Sequence, residues 1–380
     1  MFEAADFCRE LERRGIDFHV GVPDTVIENF CNHVFLHPPG GGHVLAANEG
    51  GAVGLAAGHW LATGNVPLVY MQNSGLGNAV NPLLSLADPE VFAIPMLLLI
   101  GWRGQPGVHD EPQHMKQGRV TRSLLDSLEI PWKVMDPDLG KTLAILDDLL
   151  AGLKLRRGPR ALIAPRGCFA PVPAVPAGHA GAGQTREEAI RDLVSAFGRD
   201  TAFVASTGMG PRELYEIRDA LGQGHDQDFL NAGAMGHASM IAAAVALGRP
   251  NCDVVCLDGD GALLMHLGAL ALIPSLGCRR LFHILLNNGV HDSVGGQPNL
   301  LAGLDAAGLA RVCGYRSASR VSGRNELLTA LAECRGKPGP HFLEIRLTRG
   351  FRKALGRPQI PFEAAALQFQ AFLASGPLGK

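Results

Sequence analysis

Short apolar runs rich in β-branched residues alternate with helical patterns along the chain, and this alternation is the feature that most limits its fold. The runs are residues 68–72, 96–100, 161–163, 202–205, 252–257, 281–286 and 342–347. Consecutive parallel strands need a crossover between them, usually a helix, so strands that alternate with helices build parallel sheets. The pattern predicts an α/β fold in which mostly parallel sheets are flanked by helices.

A segment rich in proline, glycine and alanine interrupts this alternation near the middle of the chain. Residues 166–184 read RGCFAPVPAVPAGHAGAGQ, a composition that favours an exposed linker over a packed element. Thr185 and Glu188 follow at the spacing of a helix capping box, which marks the start of a helix. We therefore predict a first domain over residues 1–168, a linker over 169–184 and a second domain over 185–380.

Composition argues against several classes of protein. Lys and Arg number 34 and Asp and Glu 36, so the net charge of −2 gives no electrostatic reason to expect nucleic acid or an anionic membrane as a partner. The most apolar stretches, 91–102 and 262–277, are shorter than the roughly 20 residues of a membrane span. The first residues lack the apolar core of a signal peptide. Eight cysteines without a C-x-x-C pair favour reduced core thiols over a zinc site or disulfides, and a cytoplasmic location.

Two strand candidates of the second half end in oxygen ligands. The run at 252–257 continues as DGDG and the run at 281–286 continues as NNG. Because consecutive parallel strands end at the same sheet edge, the Asp260 carboxylate and the Asn288 amide oxygen would share a hard cation, with Mg²⁺ the natural choice. The N–H groups of Gly261 and Ala262 at the following helix start would face phosphate oxygens. Taken singly, each segment also fits an ordinary turn.

Together, the two segments resemble the signature of thiamine-diphosphate-dependent enzymes, which runs from GDG to NN and here spans 28 residues. The resemblance implies two thiamine-diphosphate-binding domains, the pyrimidine-binding one first and the diphosphate-binding one second. It implies that the backbone carbonyl of Val290 is a further metal ligand. The cofactor site implied in this segment comprises Gly259, Asp260, Gly261, Ala262 and Asn288.

The first half contains a candidate for the glutamate that activates the cofactor in this family. The N-E-G-x-A pattern at residues 48–52 resembles the family's pattern at a strand-to-helix turn, and it leads into a helix over 53–61. Glu49 would hydrogen-bond to the aminopyrimidine ring and promote its imino form. An apolar setting raises the pKa of a carboxyl group, which suits this proton sharing. Alternatively, Glu49 is only a favourable anion in the first turn of a helix.

Three other segments resemble parts of the cofactor site. In NAGAMGH at 231–237, Met235 would be the apolar wedge under the bent cofactor and the Gly233 carbonyl would accept from its amino group, although Met235 also fits a core position. Ser206 and Thr207 resemble the hydroxyl-bearing loop near the diphosphate. Asn73 opens NSGLGN, a loop that packs near the pyrimidine in such decarboxylases. NSGLGN also suggests a nicotinamide-binding loop, but the third glycine is absent.

The order of the two domains, with no third domain between them, resembles the compact phosphonopyruvate and sulfopyruvate decarboxylases. Residues 21–25, 103–114 and 287–297 resemble the phosphonopyruvate branch most, and Thr25 stands where that branch often has serine. The resemblance implies decarboxylation of the 2-oxo acid 3-phosphonopyruvate to phosphonoacetaldehyde, in phosphonate or antibiotic biosynthesis. Sulfopyruvate is the alternative substrate. A non-catalytic subunit is disfavoured, because Glu49 and the GDG-to-NN signature are present.

The substrate and partner predictions complete this interpretation. A dianionic phosphonate needs cationic or N–H donors, and among the basic residues of 103–119 we favour His109 and His114 over Arg103, Lys116 and Arg119. Asp24 and Thr25 are the other substrate candidates. His291 would serve as proton donor or anion contact. The family builds its sites from the first domain of one chain and the second of another, which implies at least a homodimer.

Overall fold

The computed structural model describes residues 1–173 and 183–375, which form two compact units. In the described chain the first unit holds residues 1–173 with 293–297, and the second holds 183–292 with 298–375. Each unit contains a six-stranded sheet whose strands pair in parallel. The predicted α/β fold with flanked parallel sheets is therefore confirmed. The middle of the predicted linker, 174–182, lies outside the described residues, and the domain boundaries at 168 and 185 stay predictions.

The sheet of the first unit has the strand order β2-β1-β3-β4-β6-β5. Its strands are β1 Phe18–Gly21, β2 Gly42–Leu45, β3 Leu68–Gln72, β4 Met96–Gly101, β5 Trp132–Val134 and β6 Pro159–Ala164. The helices are α1 Ala4–Arg13, α2 Glu28–Leu36, α3 Glu49–Thr63, α4 Leu76–Pro82, α5 Pro112–Ser127 and α6 Leu139–Leu155. Apolar side chains pack in one cluster around Phe30 and Leu99 and in another around Val53 and Met71. Strands covered on both faces are continuously apolar, as β4 shows with the sequence MLLLIG.

Helix α3 begins four residues earlier than the sequence predicts. Its N-cap is Asn48, whose side chain accepts a hydrogen bond from the Gly51 N–H at 2.8 Å. It ends where Gly64 takes a left-handed conformation. Asn is among the strongest N-cap residues, and this cap places Glu49 at the first helical position.

The sheet of the second unit has the strand order β11-β12-β10-β9-β7-β8. Its strands are β7 Ala202–Ala205, β8 Asp228–Leu230, β9 Val254–Gly259, β10 Leu281–Asn287, β11 Ser317–Val321 and β12 His341–Arg346. The helices are α7 Arg186–Phe197, α8 Gly210–Ala220, α9 Ala238–Gly248, α10 Asp260–Met265, α11 Ala269–Ser275, α12 Ala306–Val312, α13 Arg324–Cys334 and α14 Phe362–Ser375. The predicted capping box of Thr185 and Glu188 is present at the start of α7.

Two residues at the described ends of the predicted linker are packed rather than exposed. Phe169 is buried among aromatic rings that include Phe2 and Phe30, and it forms a parallel bridge with Phe2. Gln184 is buried, bridges Leu347 and donates to Asp192 at 2.5 Å. The expectation of an exposed segment was wrong for these two residues, whereas residues 171, 173 and 183 are exposed. Composition describes a segment on average and does not identify single residues that pack in the core.

Two other expectations concern cysteines and membranes. The eight cysteines are free thiols, as predicted. Across residues 1–173 and 183–375, none of the helices combines the length and the apolar character needed to cross a membrane.

Candidate active site

Four neighbouring strands of the first unit are followed by candidate site residues, of which all but Arg103 were predicted. Asp24 and Thr25 follow β1, Glu49 follows β2, Asn73 follows β3 and Arg103 follows β4. The strand order β2-β1-β3-β4 makes these strands neighbours. Because the strands are parallel, all five residues lie at the carboxyl edge of the sheet, where open α/β folds bind their ligands.

Glu49 is a buried carboxyl group held by the loop that follows β3. It is 5% exposed, and its Oε2 accepts from Asn78 Nδ2 at 2.8 Å. A Cβ atom on Gly75 would lie closer than 3.0 Å to Glu49 Oε1, so only glycine leaves room for the carboxylate there. Burial raises the pKa of Glu49, and the hydrogen bond from Asn78 offsets part of this rise. Such a carboxyl group keeps its proton to a higher pH than an exposed glutamate does. Sequence reasoning missed the supporting residue Asn78.

Asn73 is engaged with the protein on both sides of its amide. Its Nδ2 donates to the Arg103 carbonyl at 2.8 Å and to Thr121 Oγ1 at 2.9 Å. Its Oδ1 accepts from the Arg103 N–H at 3.2 Å. Asn73 was predicted to bind the cofactor. In the structure, both N–H groups and the oxygen of its side-chain amide are hydrogen-bonded within the protein, and Asn73 holds the start of the loop at Arg103.

Arg103 is the centre of a polar cluster at the carboxyl end of β4. Its guanidinium donates to Asp110 at 2.8 and 2.5 Å and to Thr25 Oγ1 at 2.7 Å. Burial raises the pKa of Asp110, but hydrogen bonds from Arg103 and Gly104 outweigh it and bring the pKa to about 2. Burial, and then the charge of Arg103, lower the pKa of His114 to about 4. His114 is therefore neutral at pH 7, and the positive charge of this cluster comes from Arg103.

Asp24 lies against the same cluster and is fully buried. Its Oδ2 accepts from the Val26 N–H at 3.1 Å, whereas Oδ1 has no hydrogen-bond partner in the described part of the chain. Burial raises the pKa of Asp24 to about 6, an effect that Arg103 partly offsets. The predicted substrate residues Asp24, Thr25 and His114 are thus gathered around Arg103, while His109 is exposed. Sequence reasoning ranked Arg103 behind the histidines, although its place directly after a buried strand was a usable signal.

In the second unit, four adjacent strands carry the remaining predicted residues. The order β10-β9-β7-β8 makes neighbours of the strands that precede Asn288, Asp260, Ser206 and the 231–237 segment. Asp260 links two of these strand ends: Oδ1 accepts from the Gly261 N–H and Oδ2 from the Gly289 N–H, both at 2.7 Å. Burial raises the pKa of Asp260. The DGDG and NNG segments are therefore adjacent, as their spacing predicted.

One expectation for this segment needs correction. The Gly261 N–H was predicted to face phosphate, but it donates to the carboxylate of the preceding residue. Helix α10 also has only six residues. A short polar side chain at a helix start competes for the first N–H groups, and Asp260 does so here.

Met235 and His291 flank Gly261. A Cβ atom on Gly261 would lie 3.1 Å from the His291 ring and 3.2 Å from the Met235 methyl carbon. Met235 and Gly233 are half-buried, which does not fit the alternative that Met235 is an ordinary core residue. Ala234 has a φ of 47°, a strained conformation of the kind found at functional sites. Burial lowers the pKa of His291 to about 4, so its imidazole is neutral at pH 7.

The donor atoms of this edge fit thiamine diphosphate and a magnesium ion. Ser206 is buried, and within the described ranges its hydroxyl has no hydrogen-bond partner, as expected of a group that binds a phosphate oxygen. Thr207 Oγ1 donates to the Ala232 carbonyl at 3.0 Å. Asp260, Asn288 and the Val290 carbonyl provide oxygen atoms only, the donor type that Mg²⁺ requires. A Cβ atom on Gly259 would meet nothing within 4 Å, so space is open at this strand end.

A buried network lies on the strands below this edge. Cys256, Asp258 and His283 are close enough to hold a metal ion. However, His283 bonds Asp258 at 3.1 Å and Tyr315 at 2.9 Å, which uses both ring nitrogens. Asp258 Oδ1 also accepts from the Gly259 N–H at 3.0 Å. The network therefore braces the DGDG turn.

Comparisons with known proteins agree with this geometry. The family model "Thiamine pyrophosphate enzyme, N-terminal TPP binding domain" matches residues 3–126, and its C-terminal counterpart matches residues 215–345. Phosphonopyruvate decarboxylase of Streptomyces viridochromogenes is 35% identical over 100% of this chain and 97% of its own. The chain belongs to the phosphonopyruvate decarboxylase family. Both models describe thiamine pyrophosphate domains, so the nicotinamide alternative is set aside.

Other relatives place the chain within this group of decarboxylases. Phosphonopyruvate decarboxylase of Streptomyces hygroscopicus is 35% identical over 98% of this chain and 94% of its own. Sulfopyruvate decarboxylase of Methanosarcina acetivorans is 28% identical over 93% of each chain. The phosphonopyruvate decarboxylase family is thus the nearer of the two predicted branches among these relatives.

Proposed function

We propose that this protein is a thiamine diphosphate- and Mg²⁺-dependent enzyme that decarboxylates 3-phosphonopyruvate to phosphonoacetaldehyde. The observation that carries the proposal is the 35% identity to two phosphonopyruvate decarboxylases over nearly the full length of each chain. The site supports it, because Glu49, Asp260 and Asn288 occupy strand ends where the cofactor and its metal would need them. We also propose a homodimer or larger homo-oligomer.

The second unit would hold the cofactor's diphosphate and its metal. Asp260 and Asn288 would bind Mg²⁺ through side-chain oxygens and Val290 through its carbonyl, while Ser206 and Thr207 would face the diphosphate. Met235 would support the cofactor rings beside Gly261, with the Gly233 carbonyl as an acceptor. When bound, thiamine diphosphate supplies the electron sink that takes up the electron pair left by the departing CO₂.

The protein's own acids and bases would move the protons. Glu49 has a pKa raised by burial and would share a proton with the pyrimidine ring, while Asn78 fixes the orientation of the carboxyl group through Oε2. The neutral His291 ring, next to Gly261, has one N–H to donate and one nitrogen to accept, so it would relay the proton that replaces CO₂: one ring nitrogen would take up a proton from water as the other releases its own.

Substrate recognition would depend on the cluster around Arg103. A phosphonate dianion requires positive charge, and Arg103 is the cation of that cluster, so the substrate would have to share its guanidinium with the Asp110 carboxylate that it now binds. Thr25 and His114 would add neutral hydrogen-bond donors. His109 is exposed in the loop after β4 and would need a change in loop conformation to take part.

The test is CO₂ release from phosphonopyruvate, sulfopyruvate and pyruvate in parallel, with thiamine diphosphate and Mg²⁺ each present or withheld. We expect cofactor-dependent release that is fastest with phosphonopyruvate. Release that is fastest with sulfopyruvate would favour the second candidate, which the Methanosarcina acetivorans relative supports at 28% identity. No release from any of the three would overturn the proposal.

A further inference from the structure

A chain of buried charges leads to the predicted metal ligand Asn288. The Asp292 carboxylate accepts from Asn288 Nδ2 at 2.5 Å and from Arg186 Nη1 at 3.3 Å. Arg186 in turn donates to both oxygens of Glu213, at 2.7 and 3.0 Å. The side chains of Arg186, Glu213 and Asp292 are only 10%, 2% and 12% exposed. The three residues come from α7, α8 and the loop after β10, so the network joins separate elements.

The chemistry of Asp292 determines which atom of Asn288 is free. A carboxylate only accepts hydrogen bonds, so it pairs with the amide nitrogen of Asn288 and turns the amide oxygen to the other side. Within the described part of the chain, Asn288 Oδ1 accepts one hydrogen bond, from the Val290 N–H at 3.1 Å. An oxygen has a second lone pair and can bind a hard cation, whereas an amide nitrogen cannot. The two orientations of the amide differ little in shape, so without Asp292 the Val290 N–H bond alone would favour this one.

Arg186 and Glu213 stabilise the Asp292 carboxylate inside the protein. A nearly buried carboxylate is costly unless a positive charge compensates it, and Arg186 provides that charge. The fork of hydrogen bonds between Arg186 and Glu213 holds the guanidinium in one position. The Gly350 N–H adds a weaker contact to Asp292 at 3.3 Å.

We propose that Asp292 is a positioning residue, held by Arg186 and Glu213, that orients the Asn288 amide and so sets the affinity for Mg²⁺. This inference rests on the proposed function, because it takes Asn288 to be a metal ligand. It gives a role to four residues of which only Asn288 was identified from the sequence.

The experiment measures thiamine diphosphate binding to the apoprotein as a function of Mg²⁺ concentration, by calorimetry and tryptophan fluorescence. In Asp292→Asn, the new amide can both donate and accept a hydrogen bond, so it no longer selects one orientation of Asn288. We expect the Mg²⁺ concentration at half-saturation to rise about 10- to 100-fold, as is usual when a residue that hydrogen-bonds to a metal ligand is replaced. Arg186→Lys keeps the charge but loses the fork to Glu213, and we expect a smaller rise. If neither variant raises the half-saturation concentration, the proposal is wrong.

The control is Asp228→Asn, which disrupts another buried pair of the same unit. Asp228 and Arg218 are fully buried and bonded at 2.8 and 3.0 Å, but Asp228 begins β8, at the opposite end of that strand from the 231–237 segment. We expect a lower melting temperature with an unchanged Mg²⁺ requirement. An equal shift in this control would mean that general destabilisation explains the result.

A double-mutant cycle separates positioning from direct metal binding. If Asp292 acts through Asn288, Asp292→Asn will add little to the effect of Asn288→Ala. Additive losses would make Asp292 an independent ligand and overturn the proposal. Asp260→Ala distinguishes the failure of the proposed function: if it too leaves the Mg²⁺ requirement unchanged, the metal site itself is wrong.

Discussion

Two buried carboxyl groups at neighbouring strand ends of the first unit differ in their hydrogen bonding. Glu49 has an amide donor in Asn78, whereas Asp24 leaves Oδ1 without a partner in the described residues. Burial raises the pKa of both groups, to about 6 for Asp24. A carboxyl group whose pKa is raised is useful to an enzyme as a proton donor but reduces stability when it ionises. The two residues therefore make separate predictions.

Replacing Glu49 with Gln tests its role as a proton donor. Glutamine has nearly the same shape and can still meet Asn78, but it has no ionisable proton to share. We expect cofactor binding within a few-fold of wild type and turnover reduced about 10²- to 10⁴-fold, the usual contribution of a positioned acid or base. Thiamine diphosphate titration and steady-state kinetics measure the two effects, and full turnover in this variant would contradict the assignment.

Replacing Asp24 with Asn tests the cost of its burial. Because the folded-state pKa of about 6 lies above the ordinary 3.8, the folded state binds more protons between these values, and this group makes the protein less stable as pH rises from about 4 to about 6. The shift corresponds to roughly 3 kcal/mol at pH 7. We expect Asp24→Asn to melt above wild type at pH 7.5, with a gain that shrinks towards pH 4.

The matched control is Asp148→Asn, an exposed aspartate of the same unit whose side chain is 65% exposed. Its stability difference from wild type should be small at every pH. A pH-independent effect of Asp24→Asn would mean that the carboxyl group is not the cause. Asp24→Asn should also lower activity, since Asp24 lies against the Arg103 cluster.

At the scale of elements, the loop between β3 and α4 sets the position of Glu49 on α3. Gly75 ends a single 3₁₀ turn, Asn73–Gly75, and packs directly on the Glu49 carboxylate. Gly77, two residues later and inside α4, has nothing within 4 Å of its Cβ position. The same loop therefore contains one glycine that the site needs and one that it does not.

We expect Gly75→Ala to displace the Glu49 carboxylate and to lower turnover about 100-fold, the cost of a misplacement of about 1 Å. Gly77→Ala should leave turnover unchanged and stabilise the helix by about 0.5–1 kcal/mol. Steady-state kinetics and thermal melting of the two variants side by side make the comparison. Equal turnover in both would show that Gly75 does not position Glu49.

At the scale of the whole molecule, the predicted homodimer has a measurable consequence. The family resemblance implies that each site takes Glu49 from one chain and Asp260 from another. Mixing inactive Glu49→Gln with inactive Asp260→Ala chains under conditions of subunit exchange would then restore about a quarter of wild-type activity, because half of the random dimers are mixed and each has one intact site. No recovery despite exchange, or an active monomer in sedimentation, would contradict this prediction.

The sequence alone determined the fold class, and it predicted the main cofactor residues. Alternating apolar runs predicted parallel sheets because that pattern is local and repeats. The proximity of the DGDG and NNG segments was predictable for a general reason. Parallel strands joined by a helix end at the same edge of the sheet, so two segments 28 residues apart in sequence lie side by side. The capping box at Thr185 was readable from spacing within one helical turn.

Only the tertiary structure decided how individual polar groups are used. The Asn73 side-chain amide donates to Arg103 and Thr121. The Gly261 N–H donates to Asp260. Phe169 packs in the core, although the composition around it predicted an exposed linker. Arg186 is 106 residues from Asp292 in sequence, and no local pattern connects them. Secondary structure follows from neighbours along the chain, whereas burial and hydrogen-bond partners depend on groups that folding brings together.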